Sequence, residues 1–381
     1  MVRSTALLFI VAAAVPACGS PAAGPGSTSS ADSRGKKAAP VLDVIQTNLV
    51  ADLPGLAAVT DPQLVDAWGL AFNPAGPPWI SDNGTGRTTV YDSKGALKLT
   101  VTIPAPASAG AAGVSAPTGQ VFNGVATDFG GDHFIFVTED GTISGWNGGP
   151  TAAIHVDNSA SGAVYKGVAI GTDSAGARQL YAANFHTGSI EVYDTSFAPV
   201  AGGYGPSFVD QDLPQGWAPF NVFVSGTSVF VAFAEQQAPA NHDEVDGRGL
   251  GVVDLFDTDG NFQQRLVSGG ALDAPWGMAI APATWGSLAG SLLVGNFGDG
   301  HVNAYDLTNN PGYCPLAHLG SLGDSKGAAL AIDGLWALVF APDAGGQSSS
   351  SLHFTAGPQQ ESHGLYGRLD VAAPAPVAAT P

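Results

Sequence analysis

Trp68-Gly69-Leu70-Ala71-Phe72 decides the fold, because the chain repeats it. Kindred openings stand at Asn123-Gly124-Val125-Ala126, Lys166-Gly167-Val168-Ala169-Ile170 and Phe220-Asn221-Val222-Phe223. Two more follow at Trp276-Gly277-Met278-Ala279-Ile280 and Trp336-Ala337-Leu338-Val339-Phe340. A second apolar run trails each opening, such as Trp79-Ile80-Ser81, Phe134-Ile135-Phe136-Val137 and Leu292-Leu293-Val294. Then come a glycine-containing turn and a third run, as in Thr89-Val90-Tyr91-Asp92, Ile190-Glu191-Val192-Tyr193-Asp194 and Val302-Asn303-Ala304-Tyr305-Asp306. Gly188 and Gly300 in these turns supply the positive φ that tight hairpins need. Apolar side chains alternate with period two and are rich in aromatic and β-branched types, the mark of strands. No amphipathic helix of useful length stands out. Six units over residues 45–371 average about 55 residues, near the length of a propeller blade. One such unit cannot bury both of its faces, so neighbours must stack, and a closed ring removes exposed sheet edges. The sequence therefore predicts an all-β fold, a six-bladed β-propeller over 41–371. A sandwich of many hairpins is the alternative.

Composition agrees. The 381 residues are 45% hydrophobic, enough for a large core, and carry 52 Gly and 27 Pro for turns. Only 12% are charged, about half the usual share. Lys and Arg number 13 against 32 Asp and Glu, a net charge of −19. No basic surface is left to neutralise phosphates, which argues against a nucleic-acid partner.

The N-terminal segment reads as an export signal over 1–17. Arg3 precedes the apolar stretch Ala6 to Val15, too short for a permanent membrane span. Val15-Pro16-Ala17-Cys18-Gly19 resembles the bacterial lipoprotein box, although Pro16 departs from its commonest form. That resemblance implies a lipid on Cys18 and a membrane partner reached through it. Residues 18–40 then form a flexible, uncharged-to-weakly-charged tether, and 372–381 a disordered Ala/Pro-rich tail. The expected location is exported and lipid-anchored at the cell envelope. Gly19 in place of the Asp that retains many lipoproteins points to the outer membrane if the organism has one. An ordinary cleaved signal is the alternative. With Cys18 lipidated, Cys314 has no disulfide partner, and a monomer is expected.

Longer motifs carry a family resemblance. They are Asn48-Leu49-Val50-Ala51-Asp52, Thr60-Asp61-Pro62-Gln63-Leu64-Val65-Asp66-Ala67-Trp68-Gly69-Leu70-Ala71, and Ser81-Asp82-Asn83-Gly84-Thr85-Gly86. Leu352-His353-Phe354-Thr355-Ala356-Gly357-Pro358 and His363-Gly364-Leu365-Tyr366-Gly367 complete the set. Together they resemble an uncharacterised family of exported bacterial proteins similar to NHL-repeat propellers. Some of its members carry a C-terminal sorting tail. The resemblance implies a propeller and export, and no reaction.

In a propeller, the loops entering each first strand share a face with the loops joining second to third strands. That face collects Asp66, Asn123, Lys166 and Asn221 at expected strand starts. It also collects Asp82, Asn83, Glu139, Asp140, Asn184, His186, Asn296 and Asp299 at second-strand ends. Oxygen-rich sites suit Ca²⁺ or Mg²⁺. Related six-bladed propellers, such as the gluconolactonase-like enzymes, hold a divalent metal there. The candidate ligands are Asp82, Asn123, Glu139, Asn221 and Asn296. Against this, Asp-Gly and Asn-Gly pairs also serve simply as turns. An insertion over 235–248 adds His242, Asp243, Glu244 and Asp246 as loop candidates that could clamp a cation or merely face solvent.

Two formal motifs fail on context. Asp257-Thr258-Asp259-Gly260-Asn261 lacks the closing Glu of a calcium loop and reads as a hairpin turn. Gly323-Asp324-Ser325-Lys326-Gly327 matches the hydrolase elbow but sits in a connection, so Ser325 is not expected to be a nucleophile. Trp68, Trp276 and Trp336 share one register and read as packing. Three functions stay open. One is an envelope module that binds a ligand or protein. Another is a metal-dependent hydrolase of the lactonase type, with Asp66, Glu139 or His186 as acid–base. The last is a scaffold without a small-molecule site.

Overall fold

In the computed structural model, which describes residues 41–110, 113–200, 208–309, 315–324 and 326–372, the repeat folds as consecutive antiparallel strands. Helical segments among these residues are short 3-10 turns. The expected signal peptide 1–17, Cys18, the tether 18–40, Cys314, Ser325 and the tail beyond Ala372 lie outside the described residues.

Five hydrogen-bonded sheets result. The first runs Ala67–Phe72, Pro78–Asp82, Arg87–Tyr91, Leu97–Thr102, and the second Pro117–Phe122, Phe134–Thr138, Thr142–Trp146, Ala153–Asp157. The third comprises Tyr165–Thr172, Arg178–Asn184 and Ser189–Tyr193. The fourth runs Trp217–Ser225, Ser228–Gln236, Val252–Asp257, Phe262–Ser268, with the short Glu244–Val245 beside its second strand. The last sheet holds nine strands, two up-and-down runs among them. One is Pro275–Ile280, Leu292–Asn296, Val302–Tyr305, His318–Gly323. The other is Leu335–Phe340, Leu352–Ala356, Leu365–Val371, completed by the N-terminal strand Leu42–Ala51. Parallel pairing of Leu42 with Leu322 and Asp43 with Gly323 welds the two runs into one sheet.

The first strands of successive runs touch one another in chain order, and Leu335–Phe340 returns to Ala67–Phe72. This is an all-β, propeller-type architecture. Its inner strands share one irregularity. Each slips register against its neighbour at the repeated motif: between Ala67 and Leu70, Pro117 and Gln120, Tyr165 and Gly167, Pro219 and Asn221, Pro275 and Gly277, Leu335 and Leu338. A bulge bends a strand and re-aims its side chains.

The motif glycine has a steric cause. A Cβ on Gly69 would lie 2.3 Å from the Thr118 carbonyl oxygen, and one on Gly277 2.6 Å from that of Trp336. The inner strands therefore meet backbone to backbone. Polar side chains stitch the same seams. Thr118 Oγ1 donates to Tyr165 O at 2.6 Å, Gln120 Nε2 to Gly69 O at 2.9 Å and Asn221 Nδ2 to Trp276 O at 2.8 Å. Just above, Trp68, Trp276 and Trp336 converge. Trp68 stacks on Trp336 with centroids 3.6 Å apart, and Trp276 meets both edge-on. The expected packing role of these three holds, and they plug the ring at this level.

One inner strand lies upstream of its expected place. Asn123-Gly124-Val125-Ala126 opens no strand, because the inner strand there is Pro117–Phe122. Its Thr118-Gly119-Gln120 keeps the glycine but puts Thr where other repeats have Trp, and the apolar pattern is lost. Asn123 thus lies at the far end of its strand. The turn at Asp257 is as expected: Asp257 Oδ1 accepts the N–H groups of Asp259 and Asn261.

Gly69→Ala and Gly277→Ala should each lower unfolding stability by about 1–3 kcal/mol through forced strand separation. Urea denaturation at constant m-value checks this; an unchanged midpoint would contradict the close-approach argument.

Candidate functional site

On the face where inner strands begin, the loops of several units meet around one buried ammonium. Lys166 is the second residue of Tyr165–Thr172, at the register that holds Trp68, Trp276 and Trp336 elsewhere. Its backbone oxygen accepts the Trp276 indole N–H at 3.3 Å. Its side chain is 2% exposed, with Nζ 5.0 Å above the Trp68 ring. Nζ donates to Glu139 Oε1 at 2.5 Å and stands 4.0 Å from both Asp243 Oδ1 and Glu244 Oε2. Glu139 follows the strand Phe134–Thr138, and its second oxygen accepts from Asn83 Nδ2 at 2.9 Å. Asp66 sits just before Ala67–Phe72 and accepts the Trp336 indole N–H at 3.1 Å. Glu361 enters from the turn between Leu352–Ala356 and Leu365–Val371. These groups, with His242 and Gly84, line a cavity of about 190 Å³.

The rim is held by unusual backbone. Asp66 (φ 48°), Asn241 (φ 52°), Gln359 (φ 57°), Gln360 (φ 56°) and Glu361 (φ 62°) all occupy the left-handed region. Non-glycine residues adopt it at a cost, and such strain gathers at functional sites. Here it delivers Asp66 and Glu361 into the cavity.

Five carboxylates facing one ammonium cannot all keep their charge cheaply. Burial, then Glu361 and Glu139, hold Asp66 well above the usual carboxylate range. Burial likewise raises Glu244. Burial, then Glu244 and Glu139, push Glu361 up to about 7. Burial alone would depress Lys166, but Glu139, Glu244 and Asp243 outweigh it and hold the ammonium protonated. His242 Nδ1 is 2.7 Å from Asp243 Oδ1 and 4.0 Å from Glu139 Oε1. One ligand atom each from Glu139, His242 and Asp243 lie within 4.8 Å of one another, a spacing that could hold a metal ion.

The structure gathers some of the expected residues and not others. Of the five expected metal ligands only Glu139 lines the mouth. Asp82 is fully buried and bonded to Thr89 Oγ1 at 3.1 Å. Asn123, at the opposite end, donates to three backbone carbonyls and accepts from Arg178. Asn221 bridges inner strands, and Asn296 donates to Ala271 O and Asp299 Oδ1. The three asparagine side chains staple backbone, as turn and seam residues do. From the insertion, His242, Asp243 and Glu244 reach the mouth, whereas Asp246 lies against Gly298. His186 holds the insertion through Ala240 O at 3.1 Å and does not line the cavity. Glu361 and the central place of Lys166 were not foreseen. A lysine at a register that is aromatic in four of the six repeats was the available signal for the latter; nothing in Pro358-Gln359-Gln360-Glu361 announces a left-handed run.

No protein-family model matches the chain. It is 31% identical over 340 residues to uncharacterized protein R648 of Acanthamoeba polyphaga mimivirus, covering 84% of this chain and 78% of that one. It is also 31% identical over 338 residues to uncharacterized protein L690 of the same virus, covering 84% of each. These relatives are viral, whereas the motifs suggested a bacterial family. Among solved structures, the fold is similar to the soluble aldose sugar dehydrogenase of Escherichia coli in its apo-form. The TM-score is 0.53 at 11% identity, over 86% of this chain and 100% of that one. At that identity the likeness concerns the fold alone.

A pH dependence follows from Glu361. Its pKa in the fold lies above its ordinary 4.5, at about 7. Its contribution to stability is therefore complete below about pH 4.5 and is lost as pH rises through about 7. Asp66 and Glu244 act with the same sign. Without added cations, unfolding stability should fall between pH 5 and pH 8 (about the window set by those values). Glu361→Gln should flatten that slope in urea titrations; a slope unaltered by the substitution would remove Glu361 from this role.

Proposed function

We propose, for a chain that belongs to the same family as the uncharacterised mimivirus proteins R648 and L690, a ligand-binding propeller whose mouth captures a divalent cation and through it a small oxygen-rich ligand. The observation that carries this reading is the convergence of Glu139, His242 and Asp243 beside a buried ammonium, in a mouth with excess carboxylate. A bound cation would offset the burial, and the smaller repulsion between neighbouring acids, that raise Asp66, Glu244 and Glu361. The donor set refines the expectation of Ca²⁺. Two carboxylates and an imidazole suit Mn²⁺ or Zn²⁺ better than an all-oxygen cage would. Lys166 would position Glu139 from behind and lend positive charge to an anionic or carbonyl oxygen of the ligand. As to the ring, the two runs welded by Leu42 and Asp43 support counting six blades, since each has its own inner strand and its own bulge.

A second reading, hydrolysis of the lactonase type, is favoured by one feature. Glu361, with its pKa near 7, suits a general acid–base at neutral pH. The metal would polarise the ester carbonyl, and Glu361 would hold or move the proton of the attacking water. A scaffold without a small-molecule site is disfavoured by a mouth cavity lined with buried charged groups.

Calorimetry on the full chain should show one equivalent of Mn²⁺ or Zn²⁺ bound more tightly than Ca²⁺. Asp243→Asn, in an exposed loop, should weaken binding by about tenfold or more while leaving the fold intact. Deleting 237–246 should abolish it. Absence of binding by all three ions at millimolar concentration would overturn the reading, and metal-dependent turnover of a lactone would select the second.

Anchoring at the envelope through Cys18 is proposed alongside, supported by Val15-Pro16-Ala17-Cys18 and the tether that follows. Expression in a bacterium with labelled palmitate should mark the chain and should not mark Cys18→Ser.

A further inference from the structure

A second cavity lies away from the mouth, between the first and second sheets. Asn73 and Asn123, which follow their inner strands, mark it as belonging to the opposite end of the ring. Its volume is about 540 Å³, within the range of small-molecule sites. The floor is aromatic. Trp79 stacks on Phe134 with centroids 4.0 Å and planes 19° apart, and Trp146 leans against Trp79 at 4.7 Å. Phe122 closes one side, edge-on to Phe134 at 5.3 Å. Trp146 is half-buried, and its orientation is fixed because its indole N–H donates to Gly149 O at 2.9 Å. A preset, partly open indole backed by a second one is a ready stacking surface.

The polar lining is sparse, and its one fixed charge is the Lys98 ammonium. Asn123 is spent on backbone carbonyls, which leaves Asn73, Lys98 and His133. No acidic residue lines the cleft, although the chain carries 32 Asp and Glu against 13 Lys and Arg. Lys98 is paired with Asp92 at 2.8 Å, with side chains 53% and 32% exposed. Exposed pairs of this kind contribute little, so an incoming anion can recruit the ammonium. His133 is exposed and lines the same cleft, its ring centroid 6.5 Å from that of Trp146.

We propose that this cleft binds a small aromatic carboxylate, its ring stacked on Trp146 and its carboxylate directed to Lys98 and His133. Aromatic walls with few hydrogen-bonding groups fit a flat apolar body with one charged head. A sugar would need a denser set of polar partners than three side chains provide.

The test uses the full chain and naphthoate as probe, with naphthalenemethanol as its neutral counterpart and glucuronate as an anionic sugar, all by calorimetry. Naphthoate should bind at one site, with naphthalenemethanol about tenfold weaker and glucuronate undetected. Lys98→Gln should bring naphthoate down to the level of the neutral compound, and Trp146→Ala should abolish binding. Since Trp146→Ala could loosen the second sheet, His133→Ala at an exposed position gives an independent check and should weaken naphthoate alone. Failure of naphthoate to bind, equal binding of the neutral compound, indifference to Lys98→Gln, or preference for glucuronate would each overturn the proposal.

Discussion

Backbone meeting backbone at the centre of the ring is the constraint on which the rest depends. Gly69 and Gly277 have no room for a side chain, because the next inner strand passes within contact of where it would begin. That approach brings the strands close enough for Thr118, Gln120 and Asn221 to bond across the seams. It also aligns the bulges, and the bulges decide which residue of each repeat turns toward the axis. Trp68, Trp276 and Trp336 do so and fill it. The plug has a consequence for the site. The mouth has a hydrophobic floor, so charges placed on it are partly removed from water, and their mutual effects are correspondingly large.

Lys166 shows how one departure from a repeat creates a site. At its register an aromatic ring would have extended the plug. An ammonium there must instead be surrounded by acceptors, since a buried unpaired charge costs several kcal/mol, on the order of the 3–5 measured when one partner is removed. Glu139 supplies the close partner, and the insertion supplies Asp243 and Glu244. Burial raises Asp66, Glu244 and Glu361 together, their acidic neighbours add to it, and Lys166 opposes it. A single substitution in an otherwise structural motif thus sits at the centre of a buried acidic cluster whose raised pKa values it only partly counters.

The architecture was more legible than the site. Period-two alternation and the glycine motif are dictated by strand geometry and close approach, which act locally and leave a regular trace. They failed only at Pro117–Phe122, where Thr118 and Gln120 do seam bonding with polar side chains and so break the apolar pattern. Acidic residues were harder to sort. Asp92, Asp194, Asp257 and Asp306 each accept backbone N–H groups in turns, and the sequence gives them the same appearance as Glu139. Asp243 and Glu361 meet across the mouth only because loops far apart in the chain fold to one face, and Glu361 depends on a left-handed run that no local pattern signals.

Leu42–Ala51 pairs with Leu365–Val371, so the two ends of the described chain share one seam. During synthesis the first of these strands waits for the last. Until then the growing chain presents an unpaired edge, a template for pairing with the wrong strand. Contacts of such long sequence separation are slow to form, because loop closure precedes any reward from pairing. The final stitch is therefore also the kinetic checkpoint: a chain shortened at its C-terminal strand loses an edge partner for residues made long before it, and it is exposed to association throughout its search.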